Sequence, residues 1–377
     1  MGIERLSDLA DAAIAPLVVF KVGSALLVDA DGTPRRAWLE SLVAEMVAAR
    51  GRGQRVIVVS SGAIALGAKR LDLPQGGRGS LADAQAAAAV GQIALGGLWA
   101  ELLGAQGIIA AQLLVTLDDL EDRRRYLNAS ATLERLLSAG AVPVVNENDS
   151  VATAEIRFGD NDRLAARVAQ AARADAVVLL SDVDGLYDRA PADPDAQLIA
   201  RVEGVDEAIH GMASGASGSG LGSGGMTSKL QAAEIAERAG IALAIVNGTH
   251  DAPLARAFDS GTGTLFVPQR RDGARKAWLG GRQKLAGTLR VDGGCAEALH
   301  KGGSLLAAGI TDCEGSFERG EPVAVCDAEG RAIAQGLSEY SNLQIARIMG
   351  HRSDEHEALL GHTPRSAVIH RDHMVLL

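Results

Sequence analysis

Six short, almost wholly apolar runs are spaced through the first 268 residues, and they constrain the fold more than any other feature. They are Leu17–Val22, Arg55–Ser60, Ile108–Val115, Val142–Asn146, Ala176–Ser181 and Ala242–Asn247. A strand with one wet face alternates apolar and polar residues, whereas a continuous apolar run fits a parallel strand covered on both faces. Between the runs, longer Ala/Leu-rich stretches predict helices over Trp38–Ala49, Leu81–Leu103, Arg123–Ala139, Asp162–Ala172 and Ser228–Ala239. This alternation predicts an α/β fold, an open and mostly parallel sheet sandwiched by helices. Hydrophobic residues make up 47% of the chain and aromatics only 3%, so the layers must pack with small aliphatic side chains.

The 377 residues suit two domains or one large one. A Gly/Ser tract at Ser214–Gly225 reads as a flexible linker or, because Met226-Thr227-Ser228-Lys229 opens a helix directly after it, as a phosphate loop. The α/β pattern stops at Gln269–Lys284, which holds six basic residues and one acid. We therefore expect a first domain over 1–268, a basic linker over 269–284 and a small β-rich domain with its tail over 285–377. In the last, Gly287–Val291, Pro322–Cys326 and Ala332–Gly336 predict strands, and Ala296–Leu299 and Ser341–Ile348 predict helices. The formal net charge of −10 disfavours a broad nucleic-acid or anionic-membrane surface. No stretch of about 18 uninterrupted apolar residues occurs, so no membrane span is expected. Cys295, Cys313 and Cys326 form no CxxC pair and read as reduced thiols, and Met1–Pro16 lacks a signal core; both point to the cytoplasm.

Five segments carry chemistry. The run ending in Lys21-Val22-Gly23-Ser24 offers a point charge and close backbone approach to an anion, although a strand-end lysine also snorkels readily to solvent. Ser60-Ser61-Gly62 follows a second run, where serine hydroxyls could bind a carboxylate or simply cap a helix. Asn146-Glu147-Asn148-Asp149 and Gly159-Asp160-Asn161-Asp162 concentrate amides and carboxylates beside apolar runs, suited to a substrate bearing both amine and carboxylate. Ser181-Asp182 ends a buried run, where nucleotides usually contact open α/β sheets. Gly224-Gly225-Met226-Thr227-Ser228-Lys229 is no Walker A loop, because Leu230 follows the lysine where Ser or Thr is required; donors leading into a helix N-terminus still favour phosphate.

Taken in order, the strand-end Lys21 with Gly23-Ser24, SSGAI, NENDSVATAEIRFGDND, LLSDVDGLY and GLGSGGMTSK resemble the glutamate 5-kinase family of the amino-acid kinase superfamily. Segment Gly287–Ile310 resembles the PUA domain that many such kinases carry. The resemblance implies ATP-dependent phosphorylation of the glutamate side-chain carboxylate, the first step toward proline, with Mg²⁺ on the β- and γ-phosphates. It implies Lys21 and Lys229 at the transferring phosphoryl group and Asp162 organising them. Ser61, Asp149 and Asn161 match glutamate contacts, and Lys21, Ser181, Asp182 and Ser223, Gly224, Gly225, Met226, Thr227, Ser228 and Lys229 match nucleotide contacts. It further implies a dimer or tetramer, feedback by proline and a partner reductase for the acyl phosphate. The rival readings are a related kinase acting on another carboxylate, and an RNA-binding PUA protein with an inactive kinase domain. From Leu285 onward eight basic residues face thirteen acidic ones, a balance that weighs against RNA. His351, His356, His362, His370 and His373 show no ligand spacing and read as surface residues.

Overall fold

The first apolar run forms the central strand of a sheet. In the computed structural model, which describes residues 2–29, 31–151, 160–214, 225–269, 285–361 and 367–377, side chains 123, 124, 160, 213, 214 and 372 excepted, every residue of β1 (Leu17–Val22) is buried. The other strands of this unit are β2 (Arg55–Ser60), β3 (Ala110–Val115), β4 (Val142–Glu147), β5 (Ala176–Ser181), β6 (Arg201–Glu203), β7 (Ala242–Asn247) and β8 (Thr264–Val267). Their order is β3-β4-β2-β1-β5-β7-β8-β6. All neighbours pair in parallel except β7 and β8. Continuous burial along β1, β4, β5 and β7 bears out the two-sided cover that their apolar runs imply. The short strands β6 and β8, three and four residues long, gave no such run and were not expected.

The covering helices are α1 (Ser24–Leu27), α2 (Arg36–Gly51), α3 (Ala63–Arg70), α4 (Leu81–Gly104), α5 (Leu117–Glu121), α6 (Arg123–Ser138), α7 (Asp160–Ala172), α8 (Glu207–Ser214), α9 (Met226–Arg238) and α10 (Pro253–Ser260). Ser80, Thr116 and Asp122 cap α4, α5 and α6 by accepting from backbone N–H groups of the first turn. Helix α4 is long and apolar enough, by length and composition alone, to cross a membrane. Here Leu95, Trp99 and Leu103 of α4 pack instead into the core with β2 and β4.

The chain divides into two units, Met1–Arg271 and Asp272–Leu377. The expected basic linker falls, from residue 270 to 284, outside the described residues, as do positions 215–224 of the Gly/Ser tract. The second unit holds β9 (Gly287–Val291), β10 (Ile310–Gly315), β11 (Pro322–Cys326), β12 (Ala332–Leu337) and β13 (Met374–Leu376), in the order β10-β9-β11-β12-β13. Strands β9 and β11 pair in parallel, the rest antiparallel. Helices α11 (Gly293–His300), α12 (Asn342–Ile348) and α13 (His356–Leu360) accompany them. Its own core gathers Leu289, Val325, Ile345 and Ile369. One expectation is corrected here: His356 is not a surface residue but 2% exposed, with Nε2 3.3 Å from the His351 carbonyl. It opens α13 facing the interior, where an apolar ring body packs well.

Candidate active site

Parallel strands deliver their carboxyl ends to one edge of the sheet, and the helices that follow begin there. Register places Lys21, one residue from the end of β1, opposite Val59 of β2 and Leu179 of β5. Asp162 and Lys229 arrive from the first turns of α7 and α9, which pack against each other. The three side chains meet. Lys21 Nζ lies 2.6 Å from Asp162 Oδ1 in a buried ion pair. Lys229 Nζ donates to Asp162 Oδ2 at 3.1 Å.

All three groups are buried: Lys21 is 8% exposed, Lys229 7% and Asp162 0%. Burial pushes the Asp162 carboxyl up, but the ammonium charges of Lys21 and Lys229 outweigh it and hold the group below the ordinary carboxylate value. Burial pushes the Lys21 ammonium down; Asp162 opposes that, Lys229 adds to it, and the net direction is down. Two cations on one carboxylate leave a single positive charge in a desolvated place. Such a place attracts an anion: at an effective dielectric of about 20, a unit charge pair 4 Å apart gains about 4 kcal/mol. The first turns of α7 and α9 add partial positive charge at the same edge.

A second group of contacts lies on the β2–β4 side. Asn161 Nδ2 donates to Ser61 Oγ at 2.7 Å and to Asn146 Oδ1 at 3.2 Å. Ser61 N–H donates to the Val22 carbonyl at 2.9 Å, which ties its turn to the end of β1. The next residue, Gly62, has φ +113°, and a Cβ there would press on Leu27 at 2.9 Å. Only glycine holds this left-handed turn, which directs Ser61 toward Asn161 before α3 begins. Ser60, offered by the sequence alongside Ser61, is taken up structurally: it is fully buried and accepts from Trp99 Nε1 at 2.9 Å.

On the other side, Ser181 Oγ donates to Asp182 Oδ1 at 3.2 Å at the end of β5, and the Asp182 charge reaches Lys21. Gly225 caps α9, whose first residues are Met226, Thr227 and Ser228. Ser223 and Gly224 lie outside the described residues. Asp149 sits in the turn after β4.

Sequence reasoning missed several groups. Asn146 Nδ2 donates to Gln92 Oε1 at 2.9 Å, and Gln92 Nε2 donates to Gln112 Oε1 at 3.1 Å. Gln92 is one of two glutamines in the Ala-rich α4 and Gln112 lies in β3, so nothing local marked them. Asp184 accepts from Asn247 Nδ2 at 2.8 Å and from the Tyr187 hydroxyl at 3.1 Å, bridging the ends of β5 and β7. Their signal was available, since Asn247 ends an apolar run as Asn146 and Ser181 do.

Comparison with known proteins adds relatives to this geometry. The amino acid kinase family model matches residues 16–247 and the PUA domain model residues 287–360. A protein named glutamate 5-kinase from Novosphingobium aromaticivorans is 64% identical over the whole of both chains. Glutamate 5-kinase of Sphingopyxis alaskensis is 59% identical over 97% of this chain and 98% of its own. That of Zymomonas mobilis is 56% identical over 96% of this chain and 91% of its own. Among solved structures, a UMP kinase from Bacillus anthracis aligns over 68% of this chain and 97% of its own, at 14% identity and a TM-score of 0.46.

Proposed function

We infer the function of this chain from the family to which it belongs, the glutamate 5-kinases among the amino acid kinases. It uses ATP to phosphorylate the side-chain carboxylate of L-glutamate, giving L-glutamyl 5-phosphate and ADP, a first step toward proline. The observation that carries the reading to this chain's own chemistry is the buried Lys21–Asp162–Lys229 group, with Asn161, the neighbour of Asp162, bonded to Ser61.

The nucleophile needs no general base, because a glutamate side chain with an ordinary pKa of about 4.3 is already ionised near neutral pH. Catalysis then reduces to aligning two anions and neutralising the charge between them. Lys21 and Lys229, held apart by one oxygen each of Asp162, contact the transferring phosphoryl group from two sides. Asp162 keeps both ammonium groups aimed and limits their mutual repulsion. Ser61, Asn161 and Asp149 hold glutamate; Ser181, Asp182 and residues 223–229 hold the nucleotide. Mg²⁺ would enter the site with the phosphates of ATP. When bound, that ion supplies further neutralisation of phosphate charge.

Because an acyl phosphate hydrolyses readily, a reductase that consumes it at once is the expected partner. A homo-oligomeric, cytoplasmic enzyme restrained by proline completes the reading. The test is product trapping: purified protein with ATP, Mg²⁺ and L-glutamate is quenched with hydroxylamine. Glutamyl hydroxamate in step with ADP is expected, and folded protein that releases neither contradicts the reading.

A further inference from the structure

We propose that Gln92 is a positioning residue that makes the site selective for a substrate with a free α-amine, acting through Asn146 and Asn161. The proposal rests on the glutamate reading above and deepens it.

Three amide–amide hydrogen bonds form an unbroken chain, and all run the same way. Asn161 Nδ2 donates to Asn146 Oδ1, Asn146 Nδ2 to Gln92 Oε1, and Gln92 Nε2 to Gln112 Oε1, at 3.2, 2.9 and 3.1 Å. A carboxamide presents a donor end and an acceptor end, and the network decides which faces where. Because each link gives its N–H₂ to the next oxygen, the orientation set at Gln92 passes to Asn146, which is 2% exposed, and then to Asn161. The head of the chain is thereby fixed. Asn161 spends its N–H₂ on Ser61 and Asn146, and its Oδ1 is buried with no hydrogen-bond partner among the described residues.

A buried acceptor left unpaired destabilises the site, and a ligand that brings a donor relieves it. Glutamate brings an ammonium group; glutarate, the same dicarboxylate without the amine, brings none. A site built around an unpaired polar atom rejects the analogue that cannot pair it. Gln92 acts on Asn161 through Asn146, and its contribution is to prevent the Asn146 and Asn161 amides from turning over.

The outer end shows a matching accommodation. Gly96 lies one turn beyond Gln92 on α4, and a Cβ there would come within 2.5 Å of Gln112 Oε1. A glycine inside a helix is disfavoured against alanine by about 1 kcal/mol. At this position it leaves room for the carboxamide that ends the chain.

The test compares kcat/KM for L-glutamate and glutarate in wild type, Gln92→Leu, Gln92→Glu and Gly96→Ala, with KM for ATP and the unfolding midpoint measured in each. Wild-type turnover of glutamate is established first, so that failure of the family function is seen separately. In Gln92→Leu the preference for glutamate over glutarate should fall roughly tenfold through a raised glutamate KM, with KM for ATP within about twofold of wild type. Gln92→Glu should keep the preference, because a carboxylate oxygen still accepts from Asn146 while the exposed Gln112 amide turns to donate. Gly96→Ala should lower the preference in the same direction without lowering the unfolding midpoint. An unchanged preference in folded Gln92→Leu overturns the proposal. So does a Gln92→Leu protein whose KM values for ATP and glutamate rise together, since that marks general damage to the fold.

Discussion

Gly67 and Gly91 meet where α3 crosses α4, and neither has room for a side chain. A Cβ on Gly67 would overlap the Ala87 carbonyl and lie 2.8 Å from the Gly91 nitrogen; one on Gly91 would overlap the Ala63 carbonyl and lie 2.6 Å from the Gly67 nitrogen. Helix propensity favours alanine at both positions, so packing alone accounts for the glycines. Gly91→Val should cost about 3 kcal/mol of stability and lower the thermal midpoint by roughly 5–10 °C. Because Ala63 directly follows the Ser61–Gly62 turn, the variant should also raise the glutamate KM. Calorimetry and kinetics on the same preparation check both parts, and an unchanged midpoint refutes the crossing geometry.

Lys229→Ala removes one of the two cations on Asp162. Turnover should fall by about 10²–10³-fold while far-ultraviolet circular dichroism stays that of wild type, because Lys21 still neutralises the carboxylate. Lys229→Arg should not restore the rate, since a planar guanidinium cannot replace a compact ammonium in a buried, two-sided contact. Near-normal turnover by either variant would take this lysine out of the chemistry.

Asp162→Asn leaves Lys21 and Lys229 facing each other without their anion, and breaking a buried ionic group of this kind costs about 3–5 kcal/mol. The folded carboxyl titrates below its ordinary value of 3.8. The stability it contributes is therefore fully present above about pH 4 and is lost as pH falls further, where the unfolded chain takes up protons first. Urea titrations of the two proteins should show a constant gap from pH 8 to pH 5 that closes only below about pH 4. A gap that closes between pH 7 and pH 5 would contradict an ionised Asp162 in the folded protein.

Glu45 of α2 accepts from the backbone N–H groups of Leu254 and Ala255 at 3.2 and 2.6 Å, at the start of α10. Burial pushes its carboxyl up more strongly than these donors pull it down, so it titrates above its ordinary value of 4.5. Folding therefore disfavours the charged form, and stability falls as pH rises through the window between the two values. Glu45→Gln keeps an acceptor oxygen without the charge. It should match wild type below pH 4.5 and be the more stable protein at pH 8; a less stable variant at pH 8 would show that the charge itself holds α10.

Much of this architecture was legible in the sequence because burial on both faces leaves a one-dimensional mark. The runs Leu17–Val22, Arg55–Ser60 and Ala176–Ser181 became strands with the bounds the apolar pattern gave them. Lys21, Asp162 and Lys229 were marked by their settings, a strand end and two helix starts, although only the β1–β5 neighbourhood and the α7–α9 contact bring them together. What stayed hidden depends on contacts between distant segments. The Asn146–Gln92–Gln112 chain exists because β4 lies between β3 and β2 while α4 passes over them, and no local pattern encodes that order. The buried His356 was misread for the same reason: its helix α13 spans five residues, too few for a period to show which side faces inward.

The central claim is that two buried lysines on Asp162 serve phosphoryl transfer to the side chain of glutamate. It is tested most directly by ADP release from ATP and Mg²⁺ with L-glutamate, L-aspartate and N-acetyl-L-glutamate supplied one at a time. The account predicts turnover with L-glutamate at a kcat/KM at least about 10²-fold above either other acid. Folded protein that releases no ADP with L-glutamate, or that prefers another of the three, would contradict it.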